Sequence, residues 1–133
     1  MPKTTILDND YATLWHHPES KIVHHQFKRF IHGEEFRQVL RRGQALMEEH
    51  KATKWLSDDR ANSALPADDE KWAQAEWFPK VQAAGWKYWA IVLPEKIVGQ
   101  MNMKRFADMY KDLGITAKMF SKPEDALLWL ELQ

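Results

Sequence analysis

The alternation of apolar and polar positions divides the chain into short strand-like and longer helical stretches joined by turn-rich connections. Ala12-Thr13-Leu14-Trp15-His16-His17 and Ile22-Val23-His24-His25-Gln26-Phe27 flank Pro18-Glu19-Ser20-Lys21, which predicts an antiparallel hairpin. From Gly33 to His50 the residues Phe36, Val39, Leu40, Leu46 and Met47 recur at helical spacing, while Arg37, Arg41, Glu48 and Glu49 fall largely elsewhere, predicting an amphipathic helix. Gly43 inside it costs about 1 kcal/mol relative to Ala, so the close approach of another backbone is its expected purpose. Lys54–Asp58 reads as a short strand and Asp59–Pro66, rich in turn formers, as a loop.

A second helix is expected from Asp68 or Asp69 to Ala84, stopping at Gly85, with Trp72, Trp77, Phe78 and Val81 on its apolar side. Pro79 lies inside it and predicts a break near Trp77. Tyr88–Leu93 is continuously apolar and stops at Pro94, the pattern of a central strand covered on both faces. A third helix, from about Ile97 to Leu113, carries Val98, Met101, Phe106, Met109 and Tyr110, and Gly114 closes it before a strand from Ile115 to Phe120. Ser121, three residues ahead of Glu124 and followed by Pro123, is the expected cap of a short terminal helix holding Ala126, Leu127 and Leu130. A hairpin followed by alternating helices and strands predicts an α/β fold with a mixed, mainly parallel sheet and about four helices.

At 133 residues, with no linker, repeat or low-complexity tract, the chain is expected to be one domain, its core running from about residue 11 to 132. A hydrophobic fraction of 44%, including seven Trp and six Phe, excludes a disordered chain. The 19 basic and 19 acidic residues cancel without forming blocks, which leaves no electrostatic footprint for nucleic acid or an anionic membrane. The lack of cysteine removes disulfides and thiolate chemistry, and with no apolar run near ~20 residues a cytoplasmic location is expected.

The candidate chemistry gathers where strands end. Asp58, Asp59, Arg60, Asn62 and Ser63 stand where a strand becomes a loop, and ligands in open α/β sheets bind beyond the carboxyl ends of strands. Neighbours on an extended chain point to opposite faces, so the two carboxylates make a poor dyad; an ion pair between one Asp and Arg60, with Asn62 and Ser63 holding the loop, is the simpler expectation. Pro94, Glu95, Ser121 and Lys122 follow the next two strands and should lie along the same edge. Four hairpin histidines invite a metal, but His16 facing Val23 and His17 facing Ile22 would leave only two ligands on each face, short of a zinc set, so no metal or other cofactor is expected. Trp72, Trp77, Phe78, Met101, Phe106 and Met109 are expected as core, or else as the walls of an apolar pocket. Trp15, Trp86 and Trp129, at element ends, are expected to leave aromatic surface for a symmetric homodimer.

The order of elements resembles the STAS fold, in particular the SpoIIAA-like bacterial proteins related to CRAL-TRIO lipid-binding domains. The resemblance rests on Lys54-Trp55-Leu56-Ser57-Asp58-Asp59-Arg60, on Trp86-Lys87-Tyr88-Trp89-Ala90-Ile91-Val92-Leu93-Pro94, and on Phe120 with Ala126-Leu127-Leu128-Trp129-Leu130. It implies a non-catalytic binding or regulatory module with a protein partner or, as the alternative, a carrier of a small apolar or lipid-like ligand. The anti-anti-sigma branch of that family carries a phosphorylated Ser in an Asp-Ser-Ser-Gly type loop. Here the place reads Ser57-Asp58-Asp59-Arg60-Ala61-Asn62-Ser63, whose carboxylates repel an added phosphate, so the switch does not transfer and only Ser63 could stand in for it.

Overall fold

The hairpin seeds a larger sheet. A computed structural model, describing residues 2–133, shows six strands in sequence order: β1 (Thr4–Asp8), β2 (Ala12–His17), β3 (Ile22–Phe27), β4 (Lys54–Asp58), β5 (Tyr88–Val92) and β6 (Thr116–Phe120). The first three pair antiparallel and the last four parallel, giving the expected mixed α/β sheet. Strand β1 escapes the sequence pattern because its five residues are mostly exposed or half-exposed, as befits an edge, and a register shift interrupts its pairing between Thr5 and Leu7. Asn9 turns the chain into β2 by accepting the Tyr11 and Ala12 amides on its side-chain oxygen.

Helix α1 (Gly33–His50) joins β3 to β4, α4 (Ile97–Asp112) joins β5 to β6, and α5 (Pro123–Glu131) ends the fold. Between β4 and β5 run α2 (Ala67–Trp72), a π-helical stretch (Ala73–Trp77) and α3 (Phe78–Ala83). The break expected near Trp77 is thus a change of pitch within a continuous helical run: the widened turn ends just before Pro79, which has no N–H to give and sits in the first turn of α3. Ser121 does not cap α5. Lys122 takes the N-cap position in extended conformation with no side-chain cap, and Ser121 is exposed.

Each parallel crossover advances one strand in the same direction, so α1, the α2–α3 run and α4 share one face, where Phe36, Phe78 and Phe106 meet Val23, Trp55 and Ile91. Helix α5 alone covers the other face, over β4 to β6, with Ala126 and Leu130 against Ile22, Leu56, Ala90 and Val92. No described helix is long and apolar enough to cross a membrane.

Gly43 has a sharper reason than backbone approach. A Cβ placed there would stand 2.0 Å from Cη2 of the Trp55 indole, so a side chain, not a backbone, occupies the space it leaves. Trp86, expected at an outer face, is instead buried, edge-on to Trp77 and Trp89. Exposed apolar surface lies elsewhere, at Ile97, Val98 and Met101 on the first turns of α4, with Phe30, Leu113, Leu128 and Leu132.

Candidate functional site

Strand alternation decides the fate of the two adjacent aspartates. The Asp59 amide continues the ladder to the Val92 carbonyl, so Trp55, Ser57 and Asp59 face the α1 side while Leu56 and Asp58 face α5. Asp58 accepts both Arg60 Nε (2.9 Å) and Nη2 (2.8 Å), the expected ion pair in bidentate form. Those hydrogen bonds hold the guanidinium in its charged state still more firmly, with Glu124 and Glu95 adding attraction. Asn62 holds the loop, its Oδ1 accepting the Ile31 amide and its own amide reaching the Asp59 carbonyl. The Glu95 amide donates to the Arg60 carbonyl, and Gly99 brings α4 onto Pro94 and the Ser63 backbone. Pro94, Glu95 and Lys122 therefore do share the edge with Asp58–Ser63, but Pro94 serves as packing and Lys122 is exposed.

On the inner face the parallel register sets His25 beside Ser57. His25 Nε2 and Asp59 Oδ1 are 2.8 Å apart, and Trp55 Nε1 lies 3.0 Å from His25 Nδ1. All three side chains are buried. An indole N–H only donates, so Nδ1 carries the lone pair, the proton is on Nε2, and His25 is the neutral tautomer donating to Asp59. A second indole, Trp89, donates to Ser57 Oγ at 2.9 Å, which leaves the Ser57 proton free. No described donor other than His25 reaches the Asp59 carboxylate.

These groups line a cavity of about 60 Å³ between the sheet and α1, the π-helical stretch and α4. Its walls are aromatic, with Trp55, Trp77, Trp86, Trp89, Phe36 and Phe106; its polar groups are His25, Ser57, Asp59, Asn62 and Tyr110. Burial pushes the Tyr110 phenol well above its ordinary value, so it stays a neutral hydroxyl. Leu65 is the one half-buried lining residue and marks the side nearest solvent, where Asn102 holds the loop by accepting the Leu65 amide. A carboxylate, hydroxyls and an amide converging inside aromatic walls are the makings of a small-ligand site.

Of the apolar pocket set expected from sequence, only Trp77 and Phe106 line this cavity. Trp72 lies half-buried under Arg37 and Arg41, Phe78 stacks on Tyr110 within the core, Met109 is half-buried, and Met101 points into solvent. The volume is also far below the roughly 300 Å³ of a drug-sized site, so this conformation suits a much smaller molecule than a lipid.

The hairpin histidines follow the expected register, His16 opposite Val23 and His17 opposite Ile22. His16 stacks on His50, and His17 and His24 are joined at 3.1 Å on the opposite face. Among the described residues no group of three or more His, Cys, Asp or Glu is placed to hold a metal ion. His25 lies outside the site residues expected from sequence. The signal for its role was positional: His25 and Asp59 both stand at carboxyl ends of strands and on one face once β3 and β4 are paired, but that pairing is a tertiary fact. No protein-family model, curated protein or solved structure matches the chain.

Proposed function

We propose that the chain is a binding module for a small molecule, held in the cavity beneath the Asp58–Ser63 loop. The observation that carries this reading is the buried Asp59 carboxylate, oriented by His25 through one oxygen and free of protein donors at the other, in an aromatic-walled space. A binding site at this edge agrees with the expectation from sequence and with the STAS-like order of elements, though the ligand-facing side is the inner one. Native mass spectrometry of the protein purified gently from extract tests it: a small molecule should accompany the wild-type chain and be missing from Leu65→Trp, whose larger side chain closes the solvent side. A chain that carries nothing and binds no small probe would sink the reading.

A second reading, a protein partner, rests on the outer side of the same edge. Ile97, Val98 and Met101 are 72%, 64% and 67% exposed, beside the exposed Glu95. Contiguous apolar side chains left in water mark association surfaces, and a two-fold homodimer is the commonest closed form. Sedimentation of wild type and Val98→Glu decides it: a monomer mass for both, unchanged with concentration, removes the dimer.

A further inference from the structure

Resting on the reading of the cavity as a ligand site, we propose that its occupant is a small organic cation, a protonated amine of about four to six non-hydrogen atoms. Charge carries the argument. Asp59 is buried, yet no Lys or Arg lines the cavity. The nearest cation in sequence, Arg60, is spent on Asp58 at the opposite face of the strand, and alternation prevents it from turning inward. His25, the only titratable partner, is held neutral by the Trp55 N–H on its other nitrogen. A buried carboxylate without a counter-charge is costly, and a cation in the cavity supplies what the protein does not.

The walls point the same way. Indole faces attract cations through the ring quadrupole, and Trp is the strongest of the aromatic residues in this respect. Four Trp line the space, so an ammonium directed at the free oxygen of Asp59 would leave its alkyl part against apolar rings. An anion would meet the carboxylate in a medium that screens poorly, and a neutral molecule would leave the charge unanswered. Size follows from volume: a water needs about 10–15 Å³ of such space, so the cavity holds about four to six groups of that size.

Calorimetric titration of the full chain at pH 7.5 with n-butylammonium, n-butanol and n-butyrate separates the possibilities, since the three are close in size and differ in charge. Butylammonium should bind at least tenfold more tightly than butanol, butyrate should not bind, and Asp59→Asn should erase the preference by keeping the shape and removing the charge. If butanol binds as well as butylammonium, or if Asp59→Asn leaves the preference intact, the cation is overturned while the ligand site stands. If none of the three binds, and benzene as a neutral aromatic probe also fails, both readings fall. The wild-type charge series is decisive by itself should Asp59→Asn fail to fold.

Discussion

Replacing Gly43 with alanine tests the link between helix packing and the site, because two effects of opposite sign compete. Helix propensity alone would stabilise the protein by about 1 kcal/mol. The new Cβ, however, would stand 2.0, 2.5 and 3.0 Å from three atoms of the Trp55 six-membered ring. That ring cannot swing away freely: Trp55 is 1% exposed, edge-on to Trp77 with centroids 5.4 Å apart, and bonded through Nε1 to His25. Overpacking of a filled core costs about 1–3 kcal/mol. If the indole moves enough to lose His25, a buried acceptor is stranded for about 1–3 kcal/mol more. Subtracting the helix gain leaves a net loss of up to about 2 kcal/mol with the His25 bond kept and of about 1–5 kcal/mol with it lost, a drop of several degrees in Tm for a chain of this length. Urea denaturation followed by far-ultraviolet circular dichroism should show a lower midpoint with an unchanged slope. In a Trp55→Phe background the shorter ring relieves the clash, so the same alanine should be neutral or stabilising there. A Gly43→Ala protein more stable than wild type would refute the reasoning.

Three further outcomes follow from the same geometry. Arg60→Ala strands the buried Asp58 carboxylate and should cost about 1–3 kcal/mol, Arg60→Lys less, and adding Asp58→Ala to Arg60→Ala should recover part of the loss; a silent Arg60→Ala would show the ion pair to be inert. Asp69 accepts the Gly33 amide at 2.9 Å and Arg37 Nε at 3.0 Å, so Asp69→Ala should free the start of α1 and lower the unfolding free energy read from urea denaturation by about 2 kcal/mol, with hydrogen exchange rising first at Gly33–Arg37. Burial lowers the pKa of His16, brings His17 to about 4 and His24 to about 3, all below the ordinary value near 6.5. The unfolded chain therefore takes up protons first, and stability should fall as pH drops below about 6.5, by up to about 1.4 kcal/mol per pH unit for each histidine, until the folded values are passed. Urea midpoints at pH 7.5 and 5.0 check this: equal midpoints would contradict it, and His24→Gln should flatten the slope.

Periodicity by itself determined the hairpin, α1, the central strand β5 and the alternation that makes the fold α/β, because those elements bury long, regular apolar patterns whose spacing is set by backbone geometry. It also anticipated that Asp58 and Asp59 part company, since alternation along a strand is a local property. It could not reveal β1, whose half-exposed residues leave almost no pattern, nor the π-helical accommodation ahead of Pro79. Ser121 satisfied the local rule for a helix cap and was passed over, as Lys122, one residue later, takes the N-cap position of α5 with no side-chain cap. Above all, the site depends on which strand lies beside which and in what register. His25 and Asp59 are 34 residues apart, and only the parallel pairing of β3 with β4 brings them to 2.8 Å. Trp55 then locks the tautomer, in a position that Gly43 on another element keeps open. Contacts of that kind are set by the packing of separate elements, and no local spacing along the chain records them.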